Sequence, residues 1–139
     1  MKKENLTIIS KEQASTEFEA WLDFKKVKEK KKTDNAESAD EIITEIIDGN
    51  AIIKEDKTIV YTLQFPLSNG DKVTLQQLEF KPRINVREIT SNLRGVKSQD
   101  VDGRILAYVT SLTGQPTGVL KGLDTLDWAF CQNIATYFL

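Results

Sequence analysis

The sequence predicts an α+β fold, in which a small antiparallel β-hairpin or three-stranded sheet precedes three to four C-terminal helices. Three observations predict it. Apolar and polar residues alternate from residue 59 to 65, as in a half-buried strand. Apolar residues recur at helical spacing after residue 85, and six of seven Gly and all three Pro lie after residue 65, where turns are expected. We expect this folded domain to span 51–139, after a charged, helical and partly disordered arm of 1–50.

Composition excludes several classes of protein. The 139 residues suffice for one compact core, and a net charge of −2 disfavours recruitment of nucleic acid by bulk charge. Histidine, the commonest general base and zinc-binding nitrogen, is absent. The single cysteine, Cys131, excludes an intrachain disulfide, and its apolar neighbours predict a buried structural thiol. We therefore expect no enzyme activity, no metal and no cofactor.

The apolar segments are short. The longest continuous run is about five residues, Ile105–Val109, whereas a membrane span needs about 20. The start, Met1-Lys2-Lys3, is followed by polar residues rather than by the apolar core of a signal peptide. We expect a cytoplasmic protein with no membrane partner.

Charge is segregated along the chain. Residues 1–33 carry a net charge of +3, residues 34–58 of −6 and residues 59–139 of +1. The positive charge is concentrated in Lys25–Lys32, which could neutralise phosphates in a salt-sensitive, sequence-independent way. Because the acidic run follows at once and would cancel that field, the pattern favours a solvated linker over a nucleic-acid site.

Two helices are predicted within the arm. Thr16 followed by Glu19 has the spacing of a capping box. A second helix is predicted from Ser38 to Asp48, with Gly49 ending it. The first helix would carry a short apolar stripe, which would dock equally well on a partner or on the protein's own domain. This stripe consists of Phe18, Trp21 and Leu22.

The predicted sheet begins with a strand from Thr58 that Pro66 ends. Asn69-Gly70 is a strong hairpin-turn signal, and the return strand shows a phase slip between Leu75 and Leu78 that indicates a bulge. Ala51–Ile53 is the candidate third strand.

Three helices are predicted after Pro82. Asn85 caps the first, with Glu88 at its third position. The second begins near Asp100 and ends at Gly114. Asp124 caps the last, which would run to the final residue after a short turn, with Asp127 in its first turn favoured by the helix dipole.

Several segments after residue 60 occur in a characteristic order. Tyr61–Leu67 precedes the Asn69-Gly70 turn, and Leu78–Pro82 ends a strand in a basic residue and a proline. The later segments are Ile105–Pro116, Leu120, Leu123-Asp124, Asp127 and Tyr137–Leu139. This order, over 79 of 139 residues, resembles the tail assembly chaperone family of long-tailed, chiefly contractile-tailed, bacteriophages. Two features depart from the family pattern: the long, charge-segregated arm, and Lys81 where two consecutive basic residues are common.

The resemblance implies a non-enzymatic protein of the host cell cytoplasm that binds the phage tape measure protein. It would keep that chain soluble while tail tube subunits assemble, and it would not be retained in the virion. The family often makes a longer product by translational frameshifting, so a longer form of this chain is a further candidate partner. The tail tube protein is another.

The residues that we expect to contact a partner are apolar or aromatic, because a small amphipathic domain can mask the apolar stripe of a long helical chain. They are Phe18, Trp21, Leu22, Trp128, Tyr137 and Phe138. The alternative is a small nucleic-acid-associated regulatory protein that acts through Lys25–Lys32. The sequence leaves the oligomeric state open.

Overall fold

The computed structural model describes residues 9–139, and within them the predicted α+β class is confirmed. Helices and strands follow in the order α1 Lys11–Phe24, α2 Glu29–Asp34, α3 Ala36–Ile47, β1 Ala51–Ile53, β2 Ile59–Asn69, β3 Lys72–Phe80, α4 Val86–Leu93, α5 Val101–Thr113, α6 Thr117–Leu120 and α7 Thr125–Ala135. The sheet is antiparallel with strand order β1-β2-β3, so the candidate third strand is confirmed.

The sheet has one buried and one exposed face. Alternate residues of the strands point into the core, as a side-chain period of two requires. The buried residues are Ala51, Ile59, Tyr61, Leu63, Leu78 and Phe80. Helices α1, α3, α5 and α7 contact the strands on this side. Thr62, Gln77 and Glu79 are exposed on the other side, so the domain has two layers with the core between them.

The β2–β3 hairpin differs from the sequence expectation in its turn and in its bulge. Asn69 pairs with Lys72, so the two turn residues are Gly70-Asp71 rather than Asn69-Gly70, and the positive φ of 66° falls on Gly70. The two strands carry two irregularities: Thr74 is an extra residue on β3, just before the predicted slip, and residues 63–66 of β2 face Gln76 alone. Pro66 therefore lies within β2, at a position where no ladder hydrogen bond is needed.

The two N-terminal helices begin earlier than the sequence indicates. Ser10 caps α1 by accepting a hydrogen bond from the Gln13 amide at 3.0 Å, whereas the Thr16 hydroxyl donates to the carbonyl of Glu12 inside the helix. Helix α3 follows Asn35, not Ser38. Gly49, with φ of 84°, ends it as predicted.

The helices of the predicted arm share one core with the sheet. Phe18, Trp21 and Leu22 of α1 are buried in the same cluster as the inner face of the sheet, and so are Ile42 and Ile46 of α3. A boundary at residue 50 therefore does not separate a domain from an arm among the described residues, because these apolar stripes complete the core. The first eight residues of the expected arm lie outside the described residues.

The C-terminal helices mostly follow the predicted signals. Asn85 and Glu88 form a reciprocal capping box, and the Asp100 carboxylate accepts from the Gly103 amide at 2.9 Å. Gly114 ends α5 with φ of 76°. The short turn predicted before the last helix contains α6, and α7 ends at Ala135 instead of running to the final residue.

Candidate partner-binding surfaces

Four of the six residues expected to contact a partner form an internal aromatic cluster. The Phe18 and Trp21 rings stack with centroids 5.4 Å apart, and the Tyr137 ring meets both edge-on at 5.7 and 6.0 Å. Phe138 lies 6.1 Å from Trp21, and the Trp21 indole Nε1 donates to the carbonyl of Lys57 at 3.1 Å. The stripe on α1 thus docks on the protein's own domain, with Leu22 also buried beneath it.

Tyr137 ties the C-terminal turn to the start of α3. Its hydroxyl donates to the carbonyl of Asn35 at 3.0 Å, and its side chain is almost wholly buried. Burial raises the pKa of Tyr137 to about 12, with smaller contributions from Asp40 and Glu19. Tyr137 therefore has a structural role, because it links the C-terminal turn to the start of α3.

Trp128 instead lines an open cleft, which we call the Trp128 cleft. Three further apolar residues form its walls: Leu106 of α5, Leu120 of α6, and Leu123. Asp102, Lys121 and Thr125 lie at the same cleft, whose volume is about 330 Å³. Apolar walls with a few polar groups are typical of a binding cleft. The cleft exists because α6 and the chain after it turn back between α5 and α7.

The Lys25–Lys32 cluster surrounds a second depression, which we call the lysine groove. It has a volume of about 520 Å³ and is lined by Lys25, Lys26, Lys28, Lys30 and Lys31, together with Val27, Asp34, Asn35 and Tyr137. Lys32 points elsewhere: its ammonium lies 2.6 Å from Glu19 and 3.0 Å from Asp23, and these hydrogen bonds raise its pKa. The cluster is therefore a folded, half-enclosed surface and not the solvated linker that the charge pattern favoured.

Lys25 is the most enclosed cation of the groove. Its Nζ lies 3.3 Å from the centroid of the Phe138 ring and 3.5 Å from the carbonyl oxygen of Pro82. Burial lowers the pKa of Lys25 to about 8, and the nearby charges of Arg83 and Lys31 act in the same direction. The electrostatic potential around Lys25 is therefore positive.

The buried carboxylate of Asp127 has a role that the sequence pattern did not reveal. One oxygen accepts from the Tyr61 hydroxyl at 2.7 Å and from the Gln64 amide at 2.9 Å, and the other accepts from the Phe65 amide at 3.1 Å. These amides belong to the bulge of β2, where no neighbouring strand pairs with them. Two sequence features hinted at this contact: Pro66 within a predicted strand region, and the acidic Asp127 within a largely apolar helix.

Cys131 confirms the expectation of a buried thiol. It is completely buried on α7, and its burial, together with the charge of Asp127, raises its pKa. A thiol in this environment is not prepared for nucleophilic attack.

Residues 9–139 contain no group of three or more side chains arranged to hold a metal ion. In the same range, no helix combines the length and the apolar character needed to cross a membrane. Comparisons with models of known protein families, with curated proteins and with solved structures found no match to this chain.

Proposed function

We propose that this protein is a non-enzymatic phage tail assembly chaperone, and that the Trp128 cleft holds apolar side chains of the tape measure protein. In the host cell cytoplasm it keeps that long chain soluble while the tail tube forms, and it is not retained in the virion. The proposal is supported by the order of segments from Tyr61 to Leu139. The observation that carries it is the open apolar cleft, which lies within the part of the chain where the resemblance is closest.

The dimensions of the cleft suit a transient contact. A volume of about 330 Å³ is at the lower end of ligand-binding clefts, so it accepts one or two large apolar side chains. Burial of each contributes about 1.5–3 kcal/mol before the entropic cost of association is subtracted. Each copy therefore binds weakly, and many copies along a helical client are released as tube subunits replace them.

Co-expression with the tape measure protein of the same phage tests this function. We expect the tape measure protein to be insoluble alone and soluble with the wild-type chain. Thr125 is exposed at the cleft, so Thr125→Arg blocks the cleft without removing a core side chain. This variant should leave most of the client insoluble.

Leu126→Arg is the matched control, because Leu126 is the next residue of α7, is 56% exposed and does not line the cleft. It should retain wild-type solubilisation, and circular dichroism should show that both variants are folded. If the two variants solubilise the client equally well, the Trp128 cleft is not the binding site. If the wild-type chain does not solubilise it, the chaperone function is wrong.

A further inference from the structure

The lysine groove continues into a second cleft. Lys25 and Tyr137 line both depressions. The second cleft has a volume of about 330 Å³, and its walls combine apolar and polar side chains: Ile84, Val86, Ile89, Tyr108 and Phe138, with Lys25, Arg83 and Asn85. The two parts together make one amphipathic surface with a cationic half and an apolar half.

The cationic half carries charge that the described residues do not neutralise. Asp34 is its single acidic lining residue, and it pairs with Lys30 at 3.2 Å. Lys26 and Lys28 are exposed, and neither lies within ion-pair distance of an acid in residues 9–139. Lys25 lines both halves, together with Lys31 in the cationic half and Arg83 in the other. A ligand with carboxylates would relieve this repulsion.

We propose that this surface binds an acidic, amphipathic peptide segment of a protein partner. Its carboxylates lie against Lys26 and Lys28, and its apolar side chains lie against Ile89 and Phe138. The site is formed by residues 25–28, α2, the start of α4, Tyr108 of α5 and the C-terminal turn, and it shares no lining residue with the Trp128 cleft. The inference therefore goes beyond the proposed function and does not depend on it.

Charge complementarity favours a peptide over a nucleic acid. Helix α3 follows α2 directly and exposes Glu37, Asp40 and Glu41 without a basic residue in its span. A polyanion that extends past the groove towards α3 would be repelled by these carboxylates, whose field reaches about 8–10 Å at physiological salt. Tyr137 is buried and hydrogen-bonded, so it offers no platform for base stacking. An amphipathic peptide can place its carboxylates in the groove and its apolar side chains outside it, whereas a nucleic acid carries charge along its whole length.

The test uses a synthetic helical peptide of about 16 residues, or about four turns, with Glu on one face and Leu on the other. Its binding to the full chain is measured by fluorescence anisotropy at about 50 and about 200 mM salt. We expect binding that weakens at the higher salt, and at least tenfold loss in the Lys26→Glu/Lys28→Glu variant. Lys72→Glu/Lys97→Glu makes the same change in net charge at exposed lysines on other segments, and should lose twofold or less.

A second pair of variants tests the apolar half. Val86 is 78% exposed and lines the second cleft, so Val86→Glu should weaken binding at least fivefold without affecting folding. Val101→Glu, at a residue that is 62% exposed on α5, is the control and should bind as the wild type does. Equal losses within either pair, or no binding to the wild type, would overturn the proposal.

Two alternative occupants are separate outcomes. If a single-stranded oligonucleotide of equal charge displaces the peptide at equal or lower concentration, the site is a nucleic-acid site and the proposal is overturned. If the wild-type chain self-associates in sedimentation and Lys26→Glu/Lys28→Glu abolishes this, the occupant is the acidic helix of a second copy, and the proposal is again overturned.

Discussion

The carboxylate of Asp127 supports the irregular part of β2 from across the core. Its three hydrogen bonds satisfy the buried Tyr61 hydroxyl and two bulge amides that no neighbouring strand pairs with. The sequence placed Asp127 correctly in the first turn of the last helix. It could not reveal these partners, because they lie more than 60 residues away in the chain.

Replacement of Asp127 by Asn should lower the free energy of unfolding by about 1–3 kcal/mol, since an amide NH₂ would face one of the amides that the carboxylate now accepts from. Urea unfolding measures this loss. Asp124→Asn is the control, because Asp124 is an exposed helix cap and Asn caps equally well. A loss for Asp127→Asn no larger than for Asp124→Asn would mean that the three hydrogen bonds do not stabilise the bulge.

Lys25 should make stability depend on pH. Its pKa is about 8 in the folded state against 10.5 for an unperturbed lysine, so between these values the unfolded chain binds more protons. Below about pH 8 both states are charged and the cost of burying the ammonium is complete. As the pH rises from 8 to 10.5 this cost disappears, and the folded state gains stability.

The measurement compares the free energy of unfolding of the wild type with that of Lys25→Met across this pH range. The wild type should become more stable relative to the variant as the pH rises, and Lys97→Met, at an exposed lysine, is the control. A constant difference between wild type and Lys25→Met would show that the ammonium is not destabilised in the folded state.

Helix α1 is bound to the domain through its aromatic face. The stripe of Phe18, Trp21 and Leu22 was visible in the sequence, but its target was not. The acceptor surface includes Tyr137 and Phe138 at the other end of the chain, and no local pattern indicates a contact of that sequence separation. Side-chain packing, not charge, decided the position of the helix.

Trp21→Ala should therefore lower the free energy of unfolding by about 3–5 kcal/mol, because it removes a fully buried ring and leaves a cavity. Phe24→Ala changes an aromatic residue of the same helix that is 41% exposed, and should cost less. Chemical denaturation compares the two. If Trp21→Ala were no more harmful than Phe24→Ala, residues 51–139 would be stable without α1, as the domain boundary predicted from the sequence implies.

Helix ends set by residues within one turn could be predicted from the sequence. Features set by strand pairing or by packing against distant residues were predicted less accurately. Asn85 with Glu88, and Gly114, act within one helical turn, so the sequence located them. Thr16 and Ser10 are both acceptable caps, and packing of the apolar face selected Ser10. The observed hairpin turn lies one residue after the predicted one, because the register of β2 and β3 pairs Asn69 with Lys72.

The folded chain carries two candidate surfaces that share no lining residue. The Trp128 cleft is apolar and lies between α5 and α7, and the lysine groove lies beside α2. Of the six residues that the sequence proposed for partner contact, Trp128 lines the Trp128 cleft and the three on α1 are in the core. Tyr137 lines the lysine groove, and Phe138 lines the second cleft beside it. Aromatic residues at helical spacing indicate burial, but spacing alone does not distinguish a core from an interface.

Hydrogen–deuterium exchange of this chain, alone and bound to the tape measure protein, tests whether a client is held in the Trp128 cleft. We expect slower exchange in peptides that contain Leu106, Leu120 and Trp128, and unchanged exchange in the β1 and β2 residues on the exposed face of the sheet. Protection confined to other segments, with the cleft peptides unchanged, would contradict the proposed function.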